Sequence, residues 1–231
     1  MVHGEQAVAK LKKYAYDFEK YDFARTVKEL FDCSDLQKIH EQLPSHIQYN
    51  ELHQLGEDNK TWFHKKFYAP INEGNSPFQS LYERFIAEEV STHCGYETFL
   101  YQKSPTFRVQ APNNIAVGGW HRDRDYNHSP YEINMFLPLT PAYGTNTIWT
   151  ESIEGLGDYK PLEAEVGEYY VWDGVNLNHG NKVNTTNKSR VSIDFRILPH
   201  DKYDPDTKMS SVSRGKKFIL GDYYSLYEAK K

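Results

Sequence analysis

The sequence predicts an α+β chain that is mainly β, with N-terminal helices packed on one sheet of a two-sheet jelly-roll or barrel. Three observations point there. Apolar residues recur every three or four positions through the first part of the chain. From Thr98 onward the period falls to two. Turn clusters such as Pro112-Asn113, Gly155-Leu156-Gly157-Asp158 and Asp173-Gly174 then divide the remainder into about eight short strands.

Residues 5–31 read as one helix, because Ala7, Leu11, Tyr14, Phe18 and Tyr21 fall on one stripe with Lys and Glu between them. Ser34 to Leu43 reads as a second, short helix, with Ser34 as N-cap and Pro44 as the stop. Ile47 to Tyr68 mixes aromatic residues without one period and is expected to enter the sheet. Asn72 to Pro77 is turn-rich. The best-marked helix follows: Ser76 can cap it, Pro77 suits its first position, and Phe78, Leu81, Tyr82, Phe85, Ile86 and Val90 form its apolar stripe before Gly95.

The strands are expected at 98–100, 106–110, 114–120, 131–139, 146–152, 168–172, 175–180 and 190–198. A polar tail runs from Lys202 to Arg214, and Phe218 to Tyr227 is expected to be a closing helix. The chain reads as one domain, 1–231: a mainly helical support layer over 1–95, a β core over 96–200, and a C-terminal tail over 201–231. No repeat or low-complexity segment interrupts it.

Composition narrows the function classes. A net charge of −5 over 231 residues, with scattered basic residues, argues against a nucleic-acid surface. Aromatic residues make up 15% of the chain, and the 18 tyrosines suit pockets where a ring is buried and its hydroxyl finds a partner. No apolar run approaches the ~20 residues of a membrane span. The start, Met1-Val2-His3-Gly4-Glu5, has no signal-peptide pattern. Cys33 and Cys94 are expected to be two reduced thiols in a cytoplasmic protein, a setting that would also keep iron ferrous.

The chemistry concentrates in His121-Arg122-Asp123-Arg124-Asp125-Tyr126-Asn127-His128. In an extended chain, residues i and i+2 share a side, so His121 and Asp123 present an imidazole and a carboxylate together while Arg122 faces away. A second imidazole would complete a facial triad of metal ligands. His179, with room for several strands after Asp123, is the candidate; alone, a His before Gly reads equally well as a turn residue. Beyond it, Arg190, Ser192, Asp194 and Arg196 alternate with Val191, Ile193, Phe195 and Ile197, as a surface strand would also do. If a turn centres on Thr185-Thr186, His179 opposes Ser192 and Asn181 opposes Arg190 in a hairpin. Arg190 would then sit beside whatever His179 binds, and its planar fork suits a carboxylate.

His121-x-Asp123, a distant His179, and Arg190-x-Ser192 ten residues further on resemble the Fe(II)/2-oxoglutarate-dependent oxygenase superfamily over roughly residues 98–199. Glu132-Ile133-Asn134 and the run from Arg190 to Arg196 are similar to small oxygenases of the streptomycin-biosynthesis type. The resemblance implies a double-stranded β-helix, with Fe(II) held by His121, Asp123 and His179. It also implies 2-oxoglutarate as cosubstrate, its far carboxylate gripped by Arg190 and Ser192, and O₂ as oxidant. The expected reaction is hydroxylation of a small polar metabolite, an amino-acid derivative or amino-sugar natural product, with release of succinate and CO₂.

Other readings explain less. His128 could replace His179 as a ligand but suits a loop or pocket rim better. A cupin would want His-x-His where Arg122 and Asp123 stand, and a zinc hydrolase leaves Arg190-x-Ser192 unexplained. A non-catalytic jelly-roll binding a carbohydrate or a partner would make His121 and Asp123 mere polar lining. Candidates for substrate contact are Arg108 and Gln110 on an early strand, His128 on the rim, and Glu132 and Asn134 facing the interior. Asn146, Trp149 and Glu151 at the next connection and Arg196 beyond Arg190 complete the set. The expected partner is a small-molecule substrate, with no nucleic acid and no membrane.

Overall fold

The computed structural model describes residues 11–45, 47, 61–116, 119–212 and 215–229. Its strands, numbered in chain order, are β1 (Lys12–Ala15), β2 (Thr98–Gln102), β3 (Thr106–Gln110), β4 (Ile133–Pro138), β5 (Ile148–Thr150), β6 (Lys160–Pro161), β7 (Glu168–Trp172), β8 (His179–Asn181), β9 (Arg190–Pro199) and β10 (Tyr224–Glu228). Seven of them form one antiparallel sheet in the order β1-β7-β4-β9-β2-β10, with β3 also paired to β9; β6-β5-β8 form a second. Helices α1 (Phe23–Phe31), α2 (Trp62–Asn72) and α3 (Pro77–Phe85) come before β2. Among the described residues, no helix is long and apolar enough to cross a membrane.

The ten-residue strand β9 is the axis of the large sheet. It pairs along one edge with β4 and along the other with β3 and then β2. Its alternation divides the molecule. Val191, Ile193, Phe195 and Ile197 are buried with Met135 and Leu137 of β4 against Phe31, Phe67, Phe78, Tyr82 and Phe85 of the helices. Phe67 stacks on Phe107 at 4.1 Å, and Tyr82 and Phe85 meet Phe195 edge to face. Helical layer and large sheet therefore share one core. The opposite face of β9 carries Arg190, Ser192, Asp194 and Arg196, and that face looks toward the second sheet.

The helix expected from Ser76 forms as read: the Ser76 hydroxyl accepts from the Gln79 amide and Pro77 takes the first position. It continues through a π turn, Ile86–Val90, to Ser91–His93. The second helix is a 3₁₀ segment, Leu36–Gln42, capped by Asp35 rather than Ser34. Five other expectations are corrected.

Of the single helix expected over 5–31, residues 5–10 lie outside the described residues, and the rest is a strand followed by a shorter helix. Lys12–Ala15 pairs with β7. Asp17 then closes a turn by accepting from the Glu19 and Lys20 amides, and Asp22 caps α1 by accepting from the Arg25 amide. Two short acidic side chains thus interrupt a helical period. The part of 47–68 that is described beyond residue 60 enters a helix, not the sheet, because Phe63, His64 and Phe67 fall on one helical face.

Residues 114–120 form no strand among those described: Gly119 takes φ +88° and the extended run resumes only at His121. The helix expected over 218–227 does not form: Tyr224–Glu228 is β10, which pairs with β2 throughout, and its Tyr224 and Tyr227 suit a pleated surface. The proposed hairpin between His179 and Ser192 does not exist, since β8 pairs with β5 in the second sheet.

Candidate metal centre

His121 and His179 form a direct antiparallel pair: each backbone N–H donates to the other's carbonyl at 2.9 Å. Side chains of such a pair project to one side, and the two imidazole centroids lie 4.5 Å apart. Asp123 opens a 3₁₀ turn, Asp123–Tyr126, instead of continuing the strand, and its amide donates to the Gly174 carbonyl at 3.1 Å. The carboxylate reaches the same point from there. Its Oδ1 lies 3.5 Å from His121 Nε2 and 3.7 Å from His179 Nε2. One donor atom from each of the three residues lies within 4.8 Å of the others.

These donors fit a metal ion. His179 Nδ1 is 2.9 Å from the Leu177 carbonyl and His121 Nδ1 is 3.3 Å from that of Gly119. A proton on each Nδ1 leaves each Nε2 lone pair facing Asp123, the arrangement by which outer partners orient histidine ligands. Burial is the main cause that lowers His179 to about 4; Asp123 opposes it and His121 adds to it. The ring is neutral, as a ligand must be. Burial would push Asp123 up, but the Arg196 guanidinium beside it outweighs this and holds the carboxyl well below its ordinary range.

Arg196 donates to Asp123 Oδ2 from Nη2 (2.6 Å) and Nε (2.9 Å), and Asn134 Nδ2 adds a third bond at 2.6 Å. Gly174 permits this, because a Cβ there would stand 2.8 Å from the Asn134 amide. Arg196 and Asn134, expected to meet substrate, are thus both bonded to a candidate ligand.

Arg190 lies at the other end of the same face and is 1% exposed. It donates to the Ser192 hydroxyl (2.5 Å), to Asn181 Oδ1 (3.0 Å), to Gln110 Oε1 (3.2 Å) and to the Asn146 carbonyl (3.0 Å). Although the hairpin is absent, Asn181 meets Arg190 after all, across the gap between the sheets. Asn181 is two residues from His179 on one face of β8, a step of about 7 Å.

The remaining substrate candidates divide. Gln110 and Asn146 are fully buried in the Arg190 cluster. His128 is not in the metal cluster; its Nδ1 pairs with Glu132 at 2.7 Å, and Glu132 also accepts from the Tyr224 hydroxyl. Arg108 pairs with Asp194 at 3.2 Å. Glu151 is buried and accepts from the Asn178 and Gly157 amides, which shapes the approach to His179. Trp149 donates to the Gly144 carbonyl and carries Lys182 over its ring.

Sequence reasoning missed Trp172, which packs edge-on against His179 at 4.8 Å, and Tyr223 and Gln102, which hold the far side of Arg196. Nothing in the local sequence marks the last two. Trp120 and Tyr126 flank His121 with about two-fifths of each exposed: Trp120 seats against Gly180, and Tyr126 meets the His121 ring at 5.1 Å.

The chain is 38% identical to the streptomycin biosynthesis protein StrG of Streptomyces griseus over 217 residues, 94% of this chain and 98% of that protein. Its fold is similar to that of SnoK, a non-heme alpha-ketoglutarate-dependent carbocyclase from nogalamycin biosynthesis, with a TM-score of 0.55 and 13% identity over 94% of this chain and 92% of that one. It is also similar to AviO1 from Streptomyces viridochromogenes Tue57, with a TM-score of 0.53 and 17% identity over 87% and 92%. No family model matches the sequence. Identity of this extent over nearly the full length of both proteins establishes that the chain belongs to the family of the streptomycin biosynthesis protein StrG.

Proposed function

We propose that this protein is an Fe(II)/2-oxoglutarate-dependent oxygenase that hydroxylates a small polar metabolite, an amino-acid derivative or an amino-sugar natural product. The observation that carries the proposal is the convergence of His121, Asp123 and His179, with the buried Arg190-Ser192 pair one side-chain contact beyond His179's own strand. Family membership with a protein named for streptomycin biosynthesis, and a fold shared with an alpha-ketoglutarate-dependent carbocyclase, support it. The two sheets are read as a double-stranded β-helix, and the free thiols Cys33 and Cys94 suit a cytoplasmic setting.

His121, Asp123 and His179 would hold the metal on one side, leaving the other side for cosubstrate and O₂. Bound there, Fe(II) with 2-oxoglutarate supplies insertion of one O₂ oxygen into a C–H bond, the other entering succinate as CO₂ leaves. The chain's own residues position and shield. Arg190 and Ser192 would take the far carboxylate through charge-assisted hydrogen bonds. Trp172 and Phe136 close the interior behind His179 and under Arg190. The half-open rings of Trp120 and Tyr126 offer flat faces to a ring-shaped substrate.

Anaerobic titration with Fe(II) and 2-oxoglutarate tests the class: a weak visible charge-transfer band is expected, and absence of metal uptake would sink the reading. Substrate-dependent succinate release from metabolite pools then identifies the substrate.

A further inference from the structure

We infer that Arg196 is the positioning residue of the metal centre, confining Asp123 to coordinate through Oδ1 alone. The inference rests on the metal reading above. Asp123 Oδ2 receives three N–H donors, two from Arg196 and one from Asn134, all at 2.6–2.9 Å. A carboxylate oxygen has two lone pairs, so these donors saturate Oδ2. Oδ1 is the oxygen that faces both histidine Nε2 atoms.

Arg196 is itself held from behind. Its Nη1 donates to Gln102 Oε1 at 3.3 Å and reaches the Tyr223 hydroxyl at 3.5 Å, while Glu132 Oε2 lies 3.6 Å from its Nε. Tyr223 also donates to Gln102 Oε1 at 3.1 Å, and Asn134 is the direct cross-strand partner of Arg196. The guanidinium is therefore held on both sides, and with it the carboxylate it grips. A carboxylate free to rotate could chelate a metal through both oxygens and take up one more position. Three open positions are needed for a keto-acid bound by two atoms together with O₂. Arg196 keeps the third one open. Through Tyr223, residues a hundred positions beyond Asp123 become part of that arrangement.

The test uses Co(II) as a redox-stable probe of the full-length protein, read by dissociation constant and visible spectrum, with urea unfolding to confirm the fold. Arg196→Gln should weaken Co(II) binding by about ten- to hundredfold, the usual range for outer partners of a metal ligand, and alter the Co(II) spectrum. Arg196→Lys should recover part of the loss. Asn134→Leu, which removes one donor to the same oxygen, should weaken binding by about fivefold. Should Arg196→Gln not fold, the Lys and Asn134 variants decide. Folded variants with wild-type affinity and spectrum, lowered only in stability, would make Arg196 a structural ion pair and overturn the inference. His121→Ala separates the two levels. If wild type takes up no Co(II), or His121→Ala binds equally well, the metal reading itself fails and the inference with it. If His121→Ala loses Co(II) while the Arg196 and Asn134 variants do not, only the positioning role is overturned.

Discussion

Arg190 and Arg196 stand six residues apart on one face of β9, about 20 Å by strand rise, and meet opposite kinds of partner. The acceptors around Arg190 named above are neutral: a hydroxyl, two side-chain amides and a backbone carbonyl. Arg196 grips the buried carboxylate of Asp123. Two residues of the same type on the same strand are thus held in opposite electrostatic surroundings. The difference comes from what the second sheet and the C-terminal segment bring to each end, and nothing in the Arg-Val-Ser-Ile-Asp-Phe-Arg run would reveal it.

The largest effect is expected at the Arg196 end. Arg196→Ala strands Asp123 as a buried, uncompensated charge, so unfolding free energy in urea should drop by about 3–5 kcal/mol. A loss below about 1 kcal/mol would show that water screens the pair as at a surface, and the contrast between the arginines would collapse.

A second division concerns pH. The Ser, Asn and Gln partners of Arg190 do not titrate, whereas His179 at the metal end does. Its folded pKa, lowered to about 4 chiefly by burial, lies below the unfolded value near 6.5. Between these values the unfolded chain binds more protons, so the contribution of His179 to the stability of the metal-free protein is complete above pH ~6.5 and is lost as pH falls toward ~4, on the order of 3 kcal/mol in all. His40, also lowered by burial, acts in the same direction. Comparing the stability–pH slope with that of His179→Gln isolates the histidine; identical slopes would contradict its neutral burial.

At the other end, Arg190→Ala should raise the apparent 2-oxoglutarate requirement by about a hundredfold while Co(II) affinity stays near normal. Arg190→Lys should restore only part, because an ammonium cannot reproduce the planar fork. A large cosubstrate defect from Arg196→Lys with none from Arg190→Ala would exchange the two roles. Ser192→Ala should give the smallest change, about fivefold in the same constant, as the loss of one neutral hydroxyl. Steady-state succinate formation measures both.

Where local rules suffice, the sequence was a good guide. The Ser76-Pro77 start and its apolar stripe specify a helix without outside help, and unbroken alternation specifies β9. It misled where one stretch satisfied two periods. Tyr14 fits a helical stripe with Leu11 and a strand with Tyr16, and pairing with β7 decided for the strand. Tyr224–Glu228 was decided likewise by β2, since an edge offering free backbone groups outweighs weak local preference.

The site divides in the same way. His121-x-Asp123 was legible as a pair of candidate ligands from residue type and spacing, and the family resemblance added His179. The fold brings the three together, with Asp123 reaching the cluster from a 3₁₀ turn and not from extended chain. The Arg190-Ser192 contact was legible too, being two steps along one strand. Only the tertiary structure decided that His121 and His179 are direct backbone partners, and that Asn181 reaches Arg190 from another sheet. It alone decided that Arg196 serves Asp123 with Gln102 and Tyr223 behind it. Such contacts join segments up to a hundred residues apart, and hydrogen-bond geometry at that separation is set by how whole sheets pack, which no local pattern encodes.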